Sequence, residues 1–146
     1  MNARQLVARR SFWAGVGAAA IFLAGYAGIA IGQEMKLTLS GSQEVPPVTT
    51  SGSGSGMITV GADKSVSGSV TTTGVNAVAA HIHMGAAGKN GPIIIPLTKS
   101  GDSTWSVPAG AKLTDEQYAA FKAGGLYVNV HSPTHKPGEI RAQLQP

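Results

Sequence analysis

The sequence predicts an all-β fold: an antiparallel Greek-key β-sandwich of about eight strands with one short helix, preceded by a single transmembrane helix. Three observations carry this. Short runs rich in Val, Ile and Thr, each closed by Gly, Pro, Asn or Ser, recur from residue 35 to the end. A single segment, "LTDEQYAAFKAGG" (113–125), has helical spacing and its own caps. Between Ser11 and Gly32 lies an uncharged run, "SFWAGVGAAAIFLAGYAGIAIG".

That run comes first in the chain. As a helix its 22 residues reach roughly 33 Å, about the thickness of a hydrocarbon core. Arg4, Arg9 and Arg10 precede it, so residues 1–10 are expected in the cytoplasm and the remainder exported. "RRSF" (9–12) resembles the twin-arginine export signal, with Trp13 where a leucine-like residue is usual. Residues 11–32 read either as a retained anchor or as a signal peptide cleaved after Ala30-Ile31-Gly32. Ala20, Ala24, Gly28 and Gly32 recur every fourth residue and give one helix face a strip of small side chains. Such a strip permits close approach of another membrane helix, which favours retention.

The exported domain, 35–146, opens with an alternating strand in "MKLTLS", followed by a Pro-Pro and Ser/Gly stretch read as a loop to residue 56. "MITVGADKSVSGSVTTT" (57–73) is two strands about a Gly-Ala-Asp-Lys turn. Further strands are expected at 78–84, 92–97, 104–107, 126–131 and 139–144. In the helix, Thr114 and Gln117 form a capping box and Leu113 and Tyr118 stand at staple spacing. Asp115 and Glu116 suit the positive end of the dipole, and Gly124 ends the helix. Tyr118 and Phe121 are expected to pack on the sheet.

Charge and composition exclude several function classes. The formal net charge is +4, but residues 1–32 supply +3 of it. Beyond them eight Lys/Arg face seven Asp/Glu with no basic stripe, so nucleic acid is not an expected partner. No cysteine is present, which removes disulfides, thiol catalysis and thiolate metal sites. There is no nucleophile elbow and no phosphate-binding loop ahead of a helix, "SGSGSG" being followed by a strand.

Histidine and carboxylate remain as the strong ligands for a transition metal. His81 and His83 project from one face of a strand, their Cα atoms about 7 Å apart. His131 ends another strand and His135 lies in the turn after it. The four are candidate ligands for copper or zinc. Met84 adjoins the pair but points to the opposite face. The competing reading is that these histidines hydrogen-bond loop carbonyls, for which "GAAGKNGP" (85–92) offers many. Glu139 and Arg141 share a face and are expected to pair with each other or with a loop.

Together, "GSQEVPPV", "AAHIHMGAAGKNGPIIIPL" and "LYVNVHSPTHKPGEIRAQL" resemble the CHRD (chordin-type) domain over residues 35–146. Ser132 and Ala142 stand where the family's ending "NVHT…GEIRGQ" has threonine and glycine. The resemblance implies a β-sandwich and no common reaction. The His-x-His strand also resembles that of Cu,Zn superoxide dismutase, whose cysteines this chain lacks. Two functions are expected from this reading. The first is a non-enzymatic accessory or interaction subunit of a membrane protein complex, of an electron-transfer or photosynthetic kind. It would be single-pass in the bacterial inner membrane, with lipid and membrane proteins as partners and its C-terminal domain in the periplasm. The alternative is an exported copper- or zinc-binding redox protein with dismutase-like character, periplasmic or secreted after signal cleavage.

Overall fold

The computed structural model describes residues 31–146, and in them alternation of apolar and polar residues gives nine strands. These are β1 (Gln33–Ser40), β2 (Ser53–Val60), β3 (Val66–Thr73), β4 (Ala79–Met84), β5 (Ile93–Pro96), β6 (Thr98–Lys99), β7 (Thr104–Ser106), β8 (Leu126–His131) and β9 (Ile140–Leu144). One helix, α1 (Asp115–Lys122), precedes β8. Ala20, Ala24 and Gly28 lie outside the described residues. Gly32 lies within them, outside any helix and directly ahead of β1, where a side-chain carbon would meet Thr59 Cγ2 at 2.6 Å, so its close packing is against β2. Among the described residues no helix is long and apolar enough to cross a membrane.

All pairings are antiparallel, in the order β5-β4-β8-β9-β1-β2-β3-β7-β6. The expected pair of separate sheets is therefore one continuous sheet. It curls because its two edge strands are neighbours in sequence, with Leu97 alone between β5 and β6. The sheet must bring its ends together to make that link, which gives a nearly closed, barrel-like form. Opposite this link, β9 and β1 share one register pair, Ser40↔Arg141. The two halves thus meet at thin corners and face each other across the core, which is the sandwich-like element of the fold. Leu39, Ile58 and Val70 from one half and Ile82, Val128, Val130 and Ile140 from the other belong to one buried cluster.

Two elements depart from the sequence expectation. "SGSG" (53–56) is the first half of β2, not loop. Its glycines let neighbours come close: a side chain on Gly56 would stand 2.7 Å from Val70 Cα, and one on Gly54 3.1 Å from Ile140 Cδ1. β6 has two residues, too few to carry a pattern. The helix follows its signals. Thr114 and Gln117 form the reciprocal capping box. At the other end Gly124 adopts φ +73°, and the N–H groups of Gly124 and Gly125 donate to Phe121 O and Ala120 O at 2.8 Å. Phe121 is buried in the core, and Tyr118 packs against it.

Candidate metal centre

Period-two alternation sorts β4, β8 and β9 into two faces. Ala80, Ile82, Val128, Val130, Ile140 and Ala142 enter the core. The other face carries His81 and His83, then Tyr127, Asn129 and His131, then Arg141 and Gln143. Register aligns them in rows, His81↔Asn129↔Arg141 and His83↔Tyr127↔Gln143, with His131 opposite Ala79. His81, His83 and His131 therefore converge, each with one ligating nitrogen, within 4.8 Å of one another. His81 and His83 are a same-strand pair, and His131 approaches diagonally across the ladder.

Hydrogen bonds set the state of each ring. His83 Nδ1–H donates to Gly91 O at 2.9 Å, which leaves the lone pair on Nε2. That Nε2 is buried and has no hydrogen-bond partner. His131 Nδ1–H donates to Lys136 O at 2.8 Å, so its Nε2 also carries a lone pair. Nε2 of His131 lies 3.0 Å from His81 Nδ1, which donates to it in the metal-free protein. An ion between the rings requires that His81 carry its hydrogen on Nε2 instead and that the rings adjust so that all three nitrogens reach about 2.0–2.1 Å from it. Backbone carbonyls thus orient two of the three rings, as partners of metal-bound histidines commonly do. The loop-carbonyl reading is realised at His83 and His131, and in both rings it engages Nδ1 and leaves Nε2 on the side of the cluster.

Electrostatics favour the neutral form of His81 and of His83. Burial, then the neighbouring His131 and His83, push His81 down to about 4. Burial also lowers His83, against the opposing pull of Gly91 O, with His131 and Arg141 adding to the decrease. His83 stacks on Tyr127 with centroids 4.8 Å apart and planes 9° from parallel. The Arg141 guanidinium, 1 % exposed, lies 3.4 Å from the Tyr127 centroid. Tyr127 is thereby held between a cation and an imidazole.

His135 does not join the cluster. Its Nδ1 faces Glu139 Oε2 at 3.5 Å and Thr134 Oγ1 at 3.2 Å. The turn after β8 folds back over Ser132, with His135 N–H donating to Ser132 O, and this carries the ring away. Glu139 and Arg141 do not pair with each other. Glu139 accepts from Thr50 Oγ1 at 2.7 Å, and Arg141 donates to Lys89 O at 2.9 Å and to Ala86 O and Asn90 Oδ1 at 3.3 Å. Arg141 thus pins the 85–92 loop over the polar face.

Sequence reasoning missed Glu44, Tyr127 and Asn129. Glu44 accepts from Asn129 Nδ2, and burial raises its carboxyl to about 7, against the opposing pull of Arg141 and Asn129. Tyr127 and Asn129 were signalled by "LYVNVH", where polar groups alternate with buried aliphatics. Glu44 had no local signal, since it arrives from a loop 85 residues away in the chain. Beside it lies a groove of about 480 Å³ lined by Glu44, Val45, Pro47, Ala87, Arg141 and Gln143 among others, and by none of the three histidines.

A family model described as the CHRD domain matches residues 35–144. No curated protein and no solved structure matches the chain.

Proposed function

The chain belongs to the CHRD domain family, and on that footing we propose that it is an exported, membrane-tethered metal-binding domain, holding copper or zinc on His81, His83 and His131. The observation that carries this is the orphaned Nε2 of His83. A buried acceptor without a partner costs about 1–3 kcal/mol, and native structures rarely tolerate one without an ion or water to satisfy it. Here the lone pair belongs to a group of three imidazoles with mutually close nitrogens. The set is rich in nitrogen, poor in oxygen and free of thiolate, which suits copper or zinc better than magnesium or calcium.

The role is binding rather than turnover. The metal-competent cluster among the described residues is three imidazoles with no carboxylate in it. Tethering is supported by the uncharged run behind Arg9 and Arg10. Its strip of small residues favours a membrane-protein partner at the helix, so the domain would serve as the metal-holding subunit of a larger assembly.

Metal analysis of the full chain purified from its membrane decides the matter. We expect one copper or zinc per chain, lost in His81→Ala and in His83→Ala while circular dichroism stays that of a folded β-protein. Metal-free wild-type protein that also takes up neither ion on titration would overturn the proposal.

A further inference from the structure

We infer that the site is built for singly charged copper, with Arg141 acting through Tyr127 to disfavour divalent ions. The inference rests on the metal-binding reading above and assigns it an ion.

The ligand set brings no negative charge. All three donors are imidazoles, and in two of them Gly91 O and Lys136 O accept the Nδ1–H and leave Nε2 to ligate. The carboxylates near this face are committed elsewhere, Glu44 to Asn129 and Glu139 to Thr50 and His135. A divalent ion would therefore place two uncompensated charges in a half-buried pocket. A cuprous ion places one, and the cost of charge in such a medium rises steeply with its size.

Arg141 sharpens this difference. Its guanidinium is buried and stacks on Tyr127, whose ring in turn stacks on His83. Both groups lie directly over one ring, so they occupy opposite faces of it. Allowing for the step from the His83 ring to an ion, the guanidinium stands roughly 10 Å from the metal. At an effective dielectric near 20 each further unit of metal charge then weakens binding by a factor of about 20. Glu44 offsets part of this when ionised, but burial raises its carboxyl to about 7. Coordination number acts in the same direction. A d¹⁰ cuprous ion is satisfied by three nitrogens, whereas zinc on three histidines must keep a water as its fourth ligand and cupric copper favours tetragonal sets.

The test uses the full chain in detergent. Cuprous copper is titrated anaerobically against a chromophoric chelator, and zinc and cupric copper separately against their own competitors. We expect cuprous copper to bind at least about 100-fold more tightly than zinc. Arg141→Met should narrow that ratio about tenfold, and Arg141→Lys should hold it closer to the wild-type value. If Arg141→Met fails to fold, the wild-type ratio still decides. Zinc or cupric copper binding more tightly than cuprous copper overturns this inference and leaves the metal site standing. Failure of all three ions to bind removes both.

Discussion

At the scale of single residues, the polar face over β4, β8 and β9 holds groups whose ionisation works in opposite directions. An unfolded histidine takes up its proton near 6.5, whereas folded His81 refuses one until about 4. Its contribution to stability is therefore lost as pH falls through that window. Glu44 has the reverse sign. Folded Glu44 keeps its proton up to about 7 against 4.5 unfolded, so its contribution is lost as pH rises between those values. Glu44→Gln keeps an acceptor for Asn129 and removes the titration. The metal-free variant should gain about 2 kcal/mol over wild type at pH 8 and nothing at pH 4.5, read as Tm against pH. An equal effect at both values would mean that Glu44 is not held neutral by burial. His135 offers the complementary check. His135→Ala should leave metal stoichiometry intact, because the ring faces Glu139 and Thr134 and not the cluster. Metal lost on that change would return His135 to the ligand set. The three clustered histidines were legible in the sequence because strand alternation alone puts His81 and His83 together and leaves His131 at a strand end. His135 stood out only as the weaker candidate, since a turn's direction depends on backbone bonds around Ser132 that no periodicity encodes.

Among the elements, legibility followed the strength of local rules. α1 was readable to its caps because capping box and terminal glycines are short-range chemistry. β2 was misread at its start because Ser-Gly repeats look like a linker, and the reason for glycine there lies in other strands. A side chain at Gly56 meets the backbone of Ser69 and Val70, which cannot yield without breaking the β2–β3 ladder. Gly56→Val should therefore cost about 1–3 kcal/mol, seen as a lower denaturant midpoint at constant slope. Wild-type stability in that variant would show that the ladder shifts freely. The proposed membrane helix invites a parallel substitution with the opposite readout. Gly28→Leu would block close approach of such a helix, so co-purification with membrane partners should weaken while the 35–146 domain melts as before. Undiminished recovery of the complex would discard the small-residue face as a contact.

For the whole molecule, the strand count and antiparallel sense were within reach of composition and turn signals. The closure was not, because it depends on which edges meet. Only the structure shows that one residue, Leu97, joins the two ends of the sheet. The thin pairing at Ser40↔Arg141 has a consequence of its own. That pair shares a level with Asn129 and His81, so it marks the height of the histidines along the barrel. β1 climbs to this level from Gln33, a rise of roughly 23 Å at ordinary strand geometry. The chain thus enters at one pole and carries its imidazoles at the other. With residues 11–32 as the tether, a bound ion would ride well above the lipid headgroups. Were the domain exported and tethered as proposed, cargo held at that standoff would be accessible to another protein in the aqueous space and out of reach of anything confined to the bilayer.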